Sequence, residues 1–332
     1  MIRVQRLTKH YKVHKRQPGV LAALRSVFRR RFTTVKAVDD ISFEIAAGAR
    51  VGFLGPNGAG KTTTLKVLAG LLAPTAGEVR VKGFVPNERR YEFLRSIMLV
   101  AGQKQQLLWD LPPADTFELN RAIYGIAPAE FRERLREMVE LLEVEDVVKK
   151  PTRQLSLGER MKCELVAALL HRPTVLFLDE PTIGLDVTMQ ATVRRFVRTY
   201  NERYGATVLL TSHNMDDVAA LCERVMIIHH GRLIFDGTLA DLVRQTLPEK
   251  RVTLRLAKAV PGGDLAVLGR VVEHRDDAAI LQVRQSDVSD IVKTALATLP
   301  VLDLNVEDAP LEEVLANVFA GAEAKRLPEA AS

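Results

Sequence analysis

The sequence predicts an α/β protein whose core is a mainly parallel sheet, followed by a small α+β domain. Continuous apolar runs at 175–178, 206–211 and 225–229 are typical of parallel strands buried on both faces, and a helical pattern separates each pair. Between about 103 and 170 the pattern is helical throughout, which indicates a helical insertion. The 332 residues suffice for two domains, and beyond about residue 249 shorter strand and helix patterns alternate.

The domain bounds follow from these changes of pattern. We expect a main domain at 1–248, a small α+β domain at 249–322 and a disordered tail at 323–332. A basic helical insert is predicted at about 12–36, with its helix at 20–32, because apolar residues recur there at helical spacing between arginines.

The positive charge of the chain is concentrated near its start. Residues 1–38 contain 11 Lys and Arg and no Asp or Glu, so the net charge of +6 arises in this segment. Such a block suits an anionic partner such as phosphate, a lipid headgroup or nucleic acid, although a solvated basic face explains the charge equally well.

Two other features exclude classes of protein. No stretch approaches the roughly 20 consecutive apolar residues that a bilayer-spanning helix requires, so the chain alone is not expected to form a channel or carrier. Cys163 and Cys222 lack the paired spacing of a metal cluster and are typical of a reducing compartment.

Residues 55–62 read GPNGAGKT and predict a phosphate-binding loop, because G-x-x-x-x-G-K-[ST] here follows a predicted strand and opens a predicted helix. Glycines let backbone N–H groups surround a phosphate, and the helix N-terminus adds the positive end of its dipole. Lys61 is predicted to reach the β- and γ-phosphates, and the Thr62 hydroxyl to bind Mg²⁺. The predicted nucleotide contacts in this loop are Gly55, Pro56, Asn57, Gly58, Ala59, Gly60, Lys61, Thr62 and Thr63.

The apolar strand at 175–178 ends in Asp179 and Glu180, and burying carboxylates is costly unless they have partners. We expect Asp179 to hold Mg²⁺ through water and Glu180 to orient and activate an attacking water. His213 follows the next strand, where it could contact the γ-phosphate, and Gln103 begins the helical insertion, where it could sense Mg²⁺ or the water. A lone histidine more often has a structural role, and Gln103 taken alone would indicate nothing.

Together these motifs resemble the ATP-binding cassette (ABC) ATPase over about residues 1–240. GPNGAGKT resembles its Walker A motif and VLFLDE its Walker B motif, with Glu180 at the position of the catalytic glutamate. The other matches are Gln103 in the Q-loop, Gly184-Leu185-Asp186 in the D-loop, His213 as the switch histidine and Tyr11 as the aromatic residue that stacks on adenine. The resemblance implies a P-loop NTPase core with a mainly parallel sheet, an N-terminal antiparallel β part and a helical insertion.

The segment LSLGE at 155–159 resembles the family signature LSGGQ. Cassettes of this family pair head to tail, which implies that Ser156 and Gly158 of one chain close over the ATP held by its partner. Leu157 bars a left-handed backbone at its position, and Glu159 places a carboxylate near phosphate, so we expect a site that works at a reduced rate. Without the resemblance, Ser156 would be interpreted as an ordinary helix N-cap.

Within the family, the single cassette and the ending DAPLEEVLANVF are similar to the drug-resistance and polysaccharide exporter branch. This implies a peripheral ATPase at the cytoplasmic face of the membrane, which binds ATP and Mg²⁺, pairs with a second copy and drives a separate integral-membrane permease. We expect a permease helix to dock between the helical insertion and the core, near Leu107, Leu108 and Trp109, unless that apolar cluster is buried in the core.

The remaining partner predictions concern the basic segment and two other kinds of function. Anionic lipid headgroups are a candidate partner for the basic segment, and no nucleic-acid partner is expected. One alternative is a soluble ABC ATPase acting on nucleic acid or ribosomes, and another is a regulatory subunit that binds ATP without turnover. The single cassette and the lack of a heptad run argue against the first, and Glu180 and His213 argue against the second.

Overall fold

A computed structural model describes residues 1–14, 32–101, 106–246 and 249–324. The chain divides into two compact units, Met1–Asp236 and Gly237–Ser332. Gln103, residues 20–31 of the predicted basic helix, and residues 325–332 of the predicted tail lie outside the described residues.

The first unit contains most of the strands and helices. In chain order they are β1 Ile2–His14, β2 Phe32–Ile45, β3 Arg50–Leu54, α1 Lys61–Leu68, β4 Ala76–Val81, α2 Tyr91–Ser96, β5 Ile97–Ala101, α3 Pro113–Ile123, α4 Pro128–Leu142, α5 Leu157–Leu169, β6 Val175–Asp179, α6 Val187–Tyr204, β7 Thr207–Thr211, α7 Met215–Leu221, β8 Arg224–His229 and β9 Arg232–Thr238.

The central sheet of this unit has six strands in the order β5-β6-β7-β3-β8-β9. The pairs from β5 to β8 are parallel, and β3, β6, β7 and β8 are buried almost along their whole lengths. This confirms the predicted mainly parallel sheet. Because β6, β7 and β3 are neighbours, the segments that follow their carboxyl ends meet at one edge of the sheet.

A second, antiparallel sheet has the order β2-β1-β4. Its strands β1 and β2 pair as far as His14 and Phe32, so the ends of the predicted insert, residues 12–14 and 32–36, are strand and not helix. The weak alternation of residues 2–7 predicts a strand that ends at Leu7, because residues 8–14 are mostly polar. Backbone pairing with β2 extends the strand to His14. The two sheets share one hydrophobic core, in which the rings of Phe43 and Phe53 lie 6.1 Å apart.

The helical insertion consists of α3, α4 and α5. Helical spacing in the sequence predicts one apolar face for Phe131, Leu135, Met138 and Leu142. In α4, Leu135 is half-buried and the other three residues are buried. Polar contacts fix the other two helices, since the Asn120 side chain donates a hydrogen bond to the carbonyl oxygen of Ala167 at 2.9 Å. Within the residues that the structure describes, none of the helices has both the length and the apolar character that crossing a bilayer requires.

His171 lies buried at the base of the helical insertion. Its ring stacks on Tyr124 at 3.9 Å between centroids, and its Nε2 lies 3.3 Å from the carbonyl oxygen of Ile97. Burial away from water lowers the pKa of the imidazole to about 4, and the nearby positive charges of Arg134 and Arg95 add to this lowering, against the hydrogen bond to Ile97. The histidine is therefore neutral at physiological pH.

We expect acid to destabilise the first unit through His171. Its pKa in the folded chain, about 4, lies below the ordinary value of 6.5, so between these values the unfolded chain binds more protons and stability falls as pH is lowered. Because of this group, the free energy of unfolding should be about 2 kcal/mol lower at about pH 5 than at about pH 7.5. Urea unfolding at both pH values, followed by Trp109 fluorescence, measures the loss. His171→Gln, which stays neutral, should show a loss smaller by that amount, and an equal loss in both proteins would contradict the assignment.

The second unit has four strands and four helices in its described residues. They are α8 Leu239–Thr246, β10 Glu249–Leu256, α9 Gly262–Ala266, β11 Arg270–His274, β12 Ala278–Arg284, α10 Val288–Thr298, β13 Val301–Asp308 and α11 Leu311–Ala324. The sheet is antiparallel, in the order β11-β12-β10-β13. Val252, Leu254 and Leu281 from this sheet share a core with Ala295 of α10. The sequence patterns predict strands at 252–256, 279–283 and 302–306, a helix at 286–299 and a last helix that begins at Pro310. They do not predict β11 and α9, which are short.

Candidate functional site

The predicted phosphate-binding loop lies between β3 and α1, at the carboxyl edge of the parallel sheet. Two of its glycines are required by their surroundings. A Cβ on Gly55 would overlap the carbonyl oxygen of Ile228, and a Cβ on Gly60, whose φ is +113°, would overlap the carbonyl oxygen of Ala37. The loop is therefore packed tightly between β8 and β2, and Asn57 and Gly58 are exposed at its tip.

The rest of the loop is packed against its neighbours. The Ala59 N–H donates to the carbonyl oxygen of Pro56 at 3.1 Å, and its own carbonyl oxygen accepts from the Gly231 N–H at 2.9 Å. Thr63 is half-buried on α1. These contacts hold the loop in one shape, which preorganises its backbone N–H groups for an anion.

Lys61 folds back into the loop. Its Nζ donates hydrogen bonds to the carbonyl oxygens of Gly55 at 2.5 Å and Pro56 at 3.2 Å. Burial lowers the pKa of this ammonium, and the carboxylates of Glu180 and Asp179 partly offset the effect. A phosphate in the loop would give the lysine a full anionic partner in place of two neutral carbonyl groups.

Oxygen atoms suitable for a divalent cation gather beside the loop. Thr62 Oγ1 lies 3.3 Å from Asp179 Oδ1, and Thr211 Oγ1 donates to the same oxygen at 2.7 Å. Hydroxyl and carboxylate oxygens are the ligands that Mg²⁺ prefers, so Thr62 and Asp179 fit the predicted metal site. Gln103 was predicted to join them, and although it is itself not described, β5 ends at Ala101, which pairs with Asp179.

Glu180 and His213 contact each other at the same edge. The Nε2 of His213 lies 2.8 Å from Glu180 Oε1. Glu180 has a φ of +54°, which is uncommon for a residue with a side chain, and its N–H donates to the carbonyl oxygen of Thr211 at 3.0 Å. This conformation, held by β7, turns the carboxylate toward the histidine, and such strain is often found at functional sites.

A buried carboxylate that the sequence had not indicated supports this pair. Asp217 of α7 is 1% exposed and accepts hydrogen bonds from Thr182 and, at 2.8 Å, from Ser212. Its other oxygen lies 3.1 Å from Arg194 Nε of α6. Thr182 and Ser212 are chain neighbours of Glu180 and His213, so Asp217 ties their two loops together. Its position four residues after His213 was the only signal in the sequence.

The signature segment forms the start of α5. Ser156 is the N-cap, and its hydroxyl accepts from the Glu159 N–H at 3.2 Å while the Glu159 carboxylate accepts from the Ser156 N–H at 2.8 Å. These hydrogen bonds lower the pKa of Glu159. In this structure the Glu159 carboxylate, which replaces the glutamine of the signature, is thus bound to the start of its own helix, and its proximity to a phosphate stays a prediction.

The two other signature positions contact the D-loop and α6. Leu157 has an ordinary helical backbone, and a Cβ on Gly184 would lie 3.4 Å from its Cδ2. A Cβ on Gly158 would come within 2.7 Å of Met189 Cε. Asp186 caps α6 by accepting from the Met189 N–H at 2.9 Å. The signature segment and the D-loop of one chain therefore lie side by side.

Tyr11 is half-buried in β1, opposite Val35, with Lys9 Nζ 5.4 Å from its ring centroid. It belongs to the sheet that clamps the phosphate-binding loop through Ala37, but its contact with adenine stays a prediction.

Comparisons with known proteins identify the family of the chain. The family described as ABC transporter matches residues 38–183, and the one described as EvrA-like ABC transporter, C-terminal domain, matches residues 248–307. The daunorubicin resistance ATP-binding protein DrrA3 of Streptomyces coeruleorubidus is 34% identical, with 85% of this chain and 89% of the relative covered. The Nod factor export ATP-binding protein I of Paraburkholderia xenovorans (strain LB400) is 36% identical, with coverages of 62% and 67%.

Among solved structures, the fold is similar to that of the dimeric ATP-binding cassette MJ0796 in a post-hydrolysis state bound to ADP and phosphate. The TM-score is 0.59 at 24% identity, and the match covers 72% of this chain and 99% of that one.

Proposed function

The chain belongs to the ABC transporter family as an ATP-binding subunit with ATPase activity, and on this premise we propose that two copies hydrolyse ATP to drive export through a separate membrane permease. The observation that carries the proposal is the meeting of Lys61, Asp179, Glu180 and His213 at one edge of the sheet. The resistance and export proteins among its relatives support an exporter over an ATPase acting on nucleic acid.

The roles that we propose follow from the contacts. Lys61 binds the β- and γ-phosphates, which replace its carbonyl partners. Glu180 accepts a proton from the attacking water. His213 touches the Glu180 carboxylate and, in the proposed complex, also contacts the γ-phosphate. Tyr11 stacks on adenine, and Gln103 senses the metal or the water. Asp217 fixes the loops that carry Glu180 and His213 relative to each other.

A divalent cation completes the proposed site. Thr62 and Asp179 would hold Mg²⁺, which when bound would neutralise charge that develops on the phosphate oxygens. Without the cation, Asp179 would repel a nucleotide phosphate, so we expect ATP hydrolysis to require Mg²⁺.

We propose that the second copy supplies Ser156, Gly158 and Asp186 to the ATP held by the first. Ser156 caps α5 and Gly158 lies in its first turn, whose free N–H groups attract anions. The cassette MJ0796, whose fold is similar to that of this chain, is dimeric in its solved structure, and this supports the pairing.

A groove in the first unit is the proposed docking site for the permease. Its lining is mostly apolar and comes from α2, β5 and the end of α3; it includes Tyr91, Leu94, Ile97, Ile123 and Tyr124. The permease would hold the chain at the cytoplasmic face of the membrane. Anionic lipid headgroups there would attract the basic segment.

Purification from native membranes in mild detergent tests the proposed function. An integral-membrane protein should accompany the chain in a fixed ratio, and ATPase activity should require Mg²⁺. Recovery with ribosomes or nucleic acid, and without a membrane protein, would overturn the transport proposal.

The change Trp109→Glu should release the chain from membranes and leave its fold intact. Trp109 is 49% exposed, whereas Leu107, two residues away, is 4% exposed. A charge at the exposed position adds no buried charge but opposes docking on an apolar partner. Membrane flotation measures release and circular dichroism measures folding. The contrasting change Leu107→Glu should unfold the chain. Unfolding of the Trp109 variant itself would show that this side chain serves the core instead.

A further inference from the structure

Residues Gln106–Leu111, here called the strap, connect the docking groove to the signature segment. At one end, Gln106 lines the groove and Leu107 is buried. At the other, the strap exposes Leu108, Trp109 and Leu111, each more than 40% accessible. The strap is thus one short stretch of chain that reaches from the groove toward the signature helix.

Glu164 of α5 binds the backbone of the strap. Its side chain is buried, and its carboxylate oxygens accept two hydrogen bonds of 2.9 Å from the Gln106 N–H and one of 3.2 Å from the Leu107 N–H. Burial raises the pKa of this carboxyl group, against the lowering effect of these hydrogen bonds and of Arg160. A buried carboxylate is a costly way to fix a loop, because apolar packing would stabilise it more.

Further contacts join the strap to both sides of Ser156. Before it in sequence, the Arg153 N–H donates to the carbonyl oxygen of Trp109 at 3.0 Å, and the Thr152 hydroxyl donates to that of Leu111 at 2.8 Å. After it, the Arg160 guanidinium lies 5.8 Å from the centroid of the Trp109 ring. Glu164 is about two helical turns beyond Ser156, so displacing the strap displaces the whole start of α5.

We propose that Glu164 is a positioning residue that couples the docking groove to Ser156 and Gly158 through the strap. This inference rests on the proposed docking of a permease in that groove. A permease segment that presses on Gln106 moves the carboxylate and, with it, the rigid helix whose N-terminus faces the partner's ATP. In the other direction, ATP bound at Ser156 changes the surroundings of Trp109.

The first test uses Glu164→Gln, which keeps the shape of the side chain but replaces one accepting oxygen by an NH₂ donor facing backbone N–H groups. Basal ATPase activity and KM for ATP of the free protein should stay within about twofold of wild type. Stimulation by the co-purified permease in liposomes should fall by at least about fivefold, as expected for the loss of a coupling free energy.

The matched control is Glu137→Gln. Glu137 is also a mostly buried carboxylate of the helical insertion, but it binds Arg172, Arg203 and Tyr204, away from the strap. This change should lower the melting temperature and leave permease stimulation intact. Equal loss of stimulation in both variants, or full stimulation of the Glu164 variant, would overturn the inference.

A second measurement needs no permease. Trp109 is the single tryptophan of the chain, so its fluorescence reports on the strap. In a Glu180→Gln background, which prevents hydrolysis, Mg-ATP should shift the Trp109 emission, and adding Glu164→Gln should abolish the shift. An identical shift in both proteins would overturn the inference. If the wild-type chain shows no permease stimulation but the Trp109 shift still depends on Glu164, the proposed transport function fails, whereas the coupling of the strap to Ser156 through Glu164 stands.

Discussion

Glu180→Gln is expected to retain ATP binding and to lose turnover by roughly 10²–10⁴-fold, the usual effect of removing a general base. Glutamine has the shape of glutamate and can keep a hydrogen bond to His213, whose Nε2 lies 2.8 Å from the carboxylate. It cannot accept the proton of the attacking water. With hydrolysis blocked, ATP should hold two chains together, so the variant should elute as a dimer from a sizing column in Mg-ATP.

The matched control for this prediction is Glu223→Gln, which removes an exposed carboxylate paired with Arg50 outside the site. That variant should hydrolyse ATP at the wild-type rate. Its dimer should therefore not accumulate on the sizing column in Mg-ATP. Hydrolysis by Glu180→Gln at the wild-type rate would show that another group activates the water.

Mixing Lys61→Ala with Ser156→Arg should restore activity that neither variant has alone. In a mixed dimer, one site combines intact Lys61 with intact Ser156, and the other site carries both defects. If copies pair at random and sites act independently, an equal mixture should recover about a quarter of wild-type activity. ATPase assays over a range of mixing ratios measure the recovery, which should peak at equal amounts.

The effect of Ser156→Arg on folding must be separated from its effect across the dimer. Ser156 caps α5 in this structure, so its loss alone destabilises the helix by about 1 kcal/mol. Ser156→Ala removes the same cap without adding bulk, and it should keep part of the activity. Full activity of the Ser156→Arg variant alone would rule out head-to-tail pairing through this residue.

The parallel sheet was predictable from sequence because its strands are continuous apolar runs, and burial on both faces leaves little room for other interpretations. The phosphate-binding loop was predictable because its glycines and lysine occur at fixed spacing. Local patterns did not predict the length of β1, because its second half is polar and is held by pairing with β2.

Buried carboxylates were the main features that the sequence did not indicate. Acidic residues are mostly exposed, so Glu164 and Asp217 gave no reason to expect burial. Each is buried because it accepts hydrogen bonds from a segment distant in sequence: Glu164 from the strap, and Asp217 from Thr182, with Ser212 as a further, nearby donor. Such partners become apparent only when the chain has folded.

The contact between Gly158 and Met189 has a consequence for how two chains meet. Met189 packs on the signature glycine, and its N–H is held by Asp186, so α5 and α6 present the signature and the D-loop as one rigid surface. Both groups would then reach a partner's nucleotide in a single encounter, with their spacing already set. Two separate loops would lose conformational freedom on association. Here that freedom is already lost during folding, which favours tighter and faster association.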